Sequence, residues 1–316
     1  MITLLARIFI REDDKPEKVR LAYGILCGIV GILLNVLLFT GKFIAGTISK
    51  SIAITADAFN NLSDAGSSIV TLLGFKLGAA KPDPEHPFGH GRMEYISGLL
   101  VSVAILVMGF ELIGSSIGKL RSPEPIESSA LVCVILIASI LVKVYMFFYN
   151  RSLSKKLDSA AMKATSVDSL SDTVATTLVL IATLISKYTG LLLDGWFGIL
   201  VGCFILYTGG STLKETIDLL IGQPPKQEFI NEIREIVLGH SMVHGVHDLI
   251  VHDYGPGRVM ISLHAEVDVN GNIQDIHEQI DHIEHELQEK LHCSATIHMD
   301  PIVTDDEEVL AMKAKV

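Results

Sequence analysis

Six apolar runs dominate the chain, each long enough to cross a bilayer. They cover about residues 21–41, 51–77, 95–117, 128–149, 158–186 and 195–213. A helix rises about 1.5 Å per residue, so some 20 residues span a hydrocarbon core of about 30 Å. Lipid offers no hydrogen-bond partner to a backbone amide, so each run is expected to be a helix that satisfies its own main chain. A hydrophobic content of 49% and a mean hydropathy of +0.45 agree with a membrane protein.

Against that background the acidic residues inside two runs stand out. The second run holds Asn60 and Asp64, and the fifth holds Asp168 and Asp172. In both pairs the members are four residues apart and so face one side of a helix. A carboxylate in hydrocarbon costs several kcal/mol even on mild scales. Three at matched depth therefore point to a buried cation site, whereas Asn61, Ser63, Ser169 and Ser171 suit ordinary polar contacts between helices. Asp57 lies two turns outward of Asp64, where it either lines an access path or stays solvated. Glu111 and Lys143 are single charges in other runs, for which interhelical pairing or snorkelling is sufficient.

The chain is not uniform. From Pro224 onward there are 18 acidic against 6 basic side chains, a charge of −12 within a total of −11. The expected organisation is a basic arm (1–20), a six-helix transmembrane domain (21–222), a C-terminal α/β domain (223–303) and an acidic tail (304–316). Gln223-Pro-Pro225 ends the last span, because proline cannot continue a helix. Periodicity then gives a helix over 228–240, strands over 246–254 and 259–267 around Tyr254-Gly-Pro-Gly257, a helix over 273–291 and a strand over 295–299. This α-β-β-α-β order implies a two-layer, ferredoxin-like or metallochaperone-like fold with its helices on one face. So acidic a domain excludes nucleic acid as a partner.

Lysine and arginine set the orientation. Arg7, Arg11, Lys15, Lys18 and Arg20 precede the first span, Lys76, Lys81 and Arg92 lie at the end of the second and in its loop, and Arg151, Lys155, Lys156 and Lys163 follow the fourth. With the first span continuing past Lys42 toward Ser49, the opposite connections carry only Lys50, Lys119, Arg121 and Lys187. Both termini are therefore expected in the cytoplasm. No signal-peptide cleavage pattern follows the basic arm, which reads as leading into an uncleaved anchor. Cys27, Cys133, Cys203 and Cys293 show no paired spacing, and disulfides are not expected.

All twelve histidines lie outside the spans. The buried cluster is thus oxygen-only, a donor set that favours hard cations such as Mn²⁺ over the zinc that imidazole would favour. Asp83, His86 and His90, in the loop after the second span, have types and spacing that either hold a metal or brace a solvated turn. In the C-terminal domain His298 and Asp300 are two apart and share one face of a strand.

Together, Ala56-Asp57-Ala58-Phe59-Asn60-Asn61-Leu62-Ser63-Asp64-Ala65, His86-Pro-Phe-Gly-His-Gly-Arg92, Asp168-Ser-Leu-Ser-Asp172 and Ile297-His-Met-Asp-Pro301 resemble the cation diffusion facilitator family. The resemblance covers nearly the whole chain in order. It implies a six-span homodimer, joined through its C-terminal domain, that exports a divalent metal from the cytoplasm in exchange for protons. It implies a transport site of Asn60, Asp64, Asp168 and Asp172, a loop site of Asp83, His86 and His90, and a cytoplasmic regulatory site of His247, His264, His277, His298 and Asp300. Zinc members place a histidine in the transport site. The asparagine and aspartate here look like the manganese-efflux branch, with Fe²⁺ or Zn²⁺ as the competing ions.

The expectation is then a non-enzymatic transporter in the bacterial cytoplasmic membrane, carrying Mn²⁺ against protons and needing no organic cofactor. Metal and proton compete for the same carboxylates, which is what coupling requires. An intramembrane aspartyl protease also needs two buried aspartates, but has no use for paired i, i+4 spacing or a His-rich tail. A membrane-anchored metal sensor leaves the carboxylates within the spans without a purpose.

Overall fold

The computed structural model describes residues 16–49, 52–121, 130–189 and 194–302. The first part of the basic arm and the acidic tail lie outside them. Two compact units result: one runs to Ala80 and resumes over Arg92–Leu220, the other joins Lys81–Gly91 to the chain from Ile221 onward.

The first unit consists, among the described residues, of six long helices: α1 (Pro16–Ser49), α2 (Ile52–Gly78), α3 (Arg92–Arg121), α4 (Ala130–Leu157), α5 (Ala160–Thr189) and α6 (Asp194–Ile221). They outrun the apolar runs because helix continues into polar flanks wherever no breaker intervenes. Proline at the first position of α1 suits a helix start, where the missing N–H costs nothing. Four of the six (α1, α3, α4 and α6) are long and apolar enough to cross a membrane. The other two, α2 and α5, carry the buried aspartates and a run of serines and threonines, and these same residues lower their hydropathy.

Helix packing in this unit relies on small residues. A Cβ on Gly24 would lie 2.2 Å from the Phe75 ring, and one on Gly28 would lie 2.6 Å from Leu72 Cβ. These glycines let α1 lie directly against α2, the close approach that drives association when no hydrophobic effect acts between helices. On the other side, α2 packs on α3 and α5, and α5 packs on α4. Several buried hydroxyls are satisfied within their own helix: Thr165 donates to Ala161 O, Ser169 to Thr165 O and Thr173 to Ser169 O. Those residues can thereby sit inside the bundle without an orphaned donor.

The second unit contains α7 (Gln227–Leu238), β1 (Val243–Asp253), β2 (Val259–Asp268), α8 (Ile273–Leu291) and β3 (Cys293–Ile302). Its sheet has the order β1-β2-β3, antiparallel between β1 and β2 and parallel between β2 and β3. The expected element order is present, with longer strands. β1 starts at Val243 and β3 runs from Cys293 to Ile302, because β2 supplies ladder partners along its whole length, Val259↔Cys293 through Asp268↔Ile302. Ile261, Leu263, Ala265 and Val267 alternate onto one face, where Ile233 and Val237 of α7 and Ile276, Ile280, Ile283 and Leu287 of α8 cover them. The other face is left to Ser262, His264, Glu266, Thr296, His298 and Asp300. The loop Lys81–Gly91 belongs to this unit, with the Phe88 ring stacked 4.5 Å from Tyr254.

Truncating fully buried Ile283 (Ile283→Ala) is expected to destabilise the second unit by about 2–5 kcal/mol through the cavity it leaves. Faster hydrogen exchange of β2 and β3 amides in the full-length protein is the readout; unchanged exchange would contradict this core assignment. Gly28→Val is expected to lower the melting temperature of the detergent-solubilised protein by several degrees, since its methyls have no room beside Leu72. A melt like that of the parent chain would show that α1 and α2 do not pack this way.

Candidate functional site

Three helices of the first unit converge on one polar cluster. Asp64 comes from α2, and Asp168 and Asp172 from successive turns of α5, with one carboxylate oxygen of each within 4.8 Å of the others. The two helices are tied a short way along by a 2.9 Å hydrogen bond between the Thr71 and Thr165 hydroxyls. Asp64 and Asp168 are buried, while Asp172 is partly open, its side chain 22% exposed. Asp168 Oδ1 is buried without a hydrogen-bond partner. So is Oδ1 of Asn61, which the sequence suggests only as a helix contact.

The charge that answers these carboxylates comes from α4. Lys143 Nζ donates to Asp64 Oδ2 and to Asp172 Oδ2, each at 2.6 Å, and its side chain is only 3% exposed. Sequence reasoning allows interhelical pairing or snorkelling for Lys143 and does not place it in the cluster. The only signal available is a lysine alone in the middle of an apolar run. Asn60, expected beside the aspartates, is exposed. It lies one turn before Asp64 on the same helix, and the structure does not bring it into the buried group.

A second cluster occupies the Lys81–Gly91 loop. Asp83 Oδ1 accepts the backbone N–H groups of Glu85 (3.0 Å) and His86 (2.6 Å), a side-chain-closed turn. The carboxylate stands 3.3 Å from His86 Nδ1 and 3.4 Å from His90 Nε2, and the two rings are 4.5 Å apart. The His86 N–H and the imidazoles of His90 and His86 hold the Asp83 carboxyl below its usual range. All three expected loop residues therefore meet, and His90 Nδ1 is buried and unpartnered.

The third cluster lies on the uncovered face of the sheet. Register aligns His247, His264 and His298 in one row across the three strands, with Glu266 opposite Asp300. Asp300 Oδ2 lies 3.2 Å from His264 Nδ1 in a hydrogen bond. It lies 3.0 Å from His247 Nε2 without hydrogen-bond angles. His298 Nε2 is 3.9 Å from Asp300 Oδ1. Partial burial works against ionisation of Asp300, but the His264 bond and the neighbouring imidazoles outweigh it and hold the carboxyl below its ordinary value. His277 does not join this group. It sits exposed on α8 and faces Asp281 at 3.7 Å, since the Ile276–Ile280–Ile283–Leu287 stripe turns that helix's other side to the sheet. The helix layer and the histidine row lie on opposite faces, so His277 cannot reach the row within one chain. His240 pairs with Glu286 at 2.8 Å.

Chemically the clusters differ. The helical one offers carboxylate oxygen alone and sets three carboxyl groups against one ammonium. The other two mix imidazole with carboxylate and suit softer divalent ions.

Comparison with known proteins is consistent along the chain. Residues 28–221 match the cation efflux transmembrane domain, and residues 225–302 match the cation efflux protein cytoplasmic domain. An uncharacterized transporter of Methanocaldococcus jannaschii is 31% identical over 268 residues, covering 85% of this chain and 90% of that protein. The cation-efflux pump FieF of Cronobacter sakazakii is 28% identical over 270 residues, with 85% and 90% covered. FieF of Escherichia coli is 27% identical over 266 residues, with 84% and 88% covered. The chain belongs to the cation efflux family, whose members are integral membrane transporters and not enzymes.

Proposed function

We propose that this protein exports Mn²⁺ from the cytoplasm in exchange for protons, as a six-span homodimer joined through its C-terminal domain. The observation that carries this reading is the meeting of Asp64, Asp168 and Asp172 inside the bundle, one of them with a buried oxygen that no described residue satisfies. An orphaned buried carboxylate oxygen is costly, and a cation removes the cost. With no imidazole or thiolate in the group, the donors favour a hard ion. Asn60 is the fourth donor in this proposal, and it reaches the ion only by a rotation of α2 or of its own side chain.

Protons compete with the metal for the same oxygens. Metal arriving from the cytoplasm releases them, and protons entering from outside release the metal. α2 and α5 span the membrane beside the four more apolar helices, and both termini face the cytoplasm. His247, His264, His298 and Asp300 form a regulatory metal site on the sheet, with His277 outside it. Asp83, His86 and His90 form a third site in the loop. The imidazole of these two clusters favours Zn²⁺ over Mn²⁺, which keeps Zn²⁺ or Fe²⁺ transport as the second reading.

Purified protein in vesicles loaded with a pH dye tests this. Mn²⁺ is expected to drive proton flux, and Asp64→Ala and Asp172→Ala should each reduce it to the leak of protein-free vesicles. Flux driven by Zn²⁺ alone would overturn the ion assignment, and full flux in both variants would overturn the site. Separately, His264→Ala is expected to abolish one class of Zn²⁺ sites in equilibrium dialysis while Mn²⁺-driven flux persists. If every class of Zn²⁺ site survives that substitution, the sheet cluster is not a metal site.

A further inference from the structure

The three-carboxylate cluster already contains a cation, and it is covalently attached. The Lys143 ammonium bridges Asp64 Oδ2 and Asp172 Oδ2 at 2.6 Å each, distances typical of charge-assisted hydrogen bonds. It is buried with Asp64 and lies deep inside α4, with Asp64 79 positions away in sequence and Asp172 29 away. Nothing about helix packing alone requires a charge here. Leu136 and Met146 of the same helix fill buried positions with apolar side chains.

We infer that Lys143 is a tethered competitor for the transported ion, and that a divalent metal occupies the cluster only by displacing the ammonium from Asp64 and Asp172. The inference rests on the transport-site reading above and adds a positioning residue to it. A metal draws carboxylate oxygens to about 2.0–2.2 Å. Lys143 already holds one oxygen on each of two of the three carboxylates, and two cations on the same pair of carboxylates repel strongly in a medium of low dielectric. Asp168 Oδ1, buried without a partner, stands ready without rearrangement.

Displacement is feasible because the four-carbon stem of lysine swings where a short side chain could not. Ser139, one turn earlier on the same side of α4, has a buried hydroxyl oxygen with no hydrogen-bond partner and can receive the ammonium. The cluster is then never without a cation while it passes between metal-loaded and metal-free states. The tethered charge also weakens metal binding, which favours release over retention.

A structural brace and a competitor make opposite predictions when the charge is removed. Mn²⁺ binding to full-length protein in nanodiscs can be followed by the loss of the free-ion paramagnetic resonance signal. The sites lost in Asp172→Ala define the membrane class. For that class, Lys143→Met and Lys143→Gln are each expected to tighten Mn²⁺ binding about tenfold or more. Lys143→Arg, whose guanidinium grips two carboxylates at once, is expected to weaken it by a similar factor.

Should the neutral variants fail to fold, the arginine variant decides alone, since a brace that keeps its charge leaves affinity unchanged. Unchanged or weaker binding in both neutral variants, or parental affinity in Lys143→Arg, would overturn the inference while leaving the site itself intact. If Asp64→Ala and Asp172→Ala bind Mn²⁺ as the parent does, the transport-site reading fails first and the competitor role with it.

Discussion

Charge placed in hydrocarbon must be matched locally, and the helical half of this protein is arranged around that requirement. Asp64, Asp168 and Asp172 are affordable only because α2, α4 and α5 meet at one point, where Lys143 bonds two of the three. The rest of the bundle serves the meeting. Gly24 and Gly28 bring α1 flat against α2, the Thr71–Thr165 bond fastens α2 to α5, and the self-satisfied hydroxyls of α5 let a polar helix lie inside. Removing one charge from such a group leaves another buried without its partner.

The second unit solves a different problem. Its two helices cover one face of a three-stranded sheet with aliphatic side chains, and the other face is free to carry chemistry. Mixed strand directions matter here. The antiparallel β1–β2 pairing and the parallel β2–β3 pairing bring His247, His264 and His298 into one row, with Asp300 among them. In the proposed function the oxygen-only cluster selects the cargo and the imidazole clusters respond to metal outside the membrane. The different donor sets keep the two tasks apart.

The legible part of this architecture was the part with a period. The i, i+4 spacing of Asp168 and Asp172, their depth in a span, and the alternation of β2 each follow from helix or strand geometry alone. What the sequence did not disclose depends on which faces meet. Lys143 is one lysine in an apolar run, and only the crossing of α4 with α2 and α5 reveals that it bonds aspartates on both. Asn60 lies four residues from Asp64 on the same helix, yet it is exposed where Asp64 is buried. His277 follows Ile276, and the isoleucine stripe commits the other side of α8 to the core, so within one chain His277 faces away from the histidine row. Hydropathy marks four of the six long helices as membrane-crossing, since the residues that make α2 and α5 interesting also make them polar.

The central claim is that three carboxylates inside the bundle hold the transported ion. Anomalous diffraction from crystals of the Mn²⁺-loaded protein, recorded at the manganese edge, addresses it directly. The account predicts a peak bonded to Asp64, Asp168 and Asp172, with the Lys143 ammonium moved off both aspartates. Manganese found only on the loop or the sheet, with Lys143 still bridging Asp64 and Asp172, would contradict it.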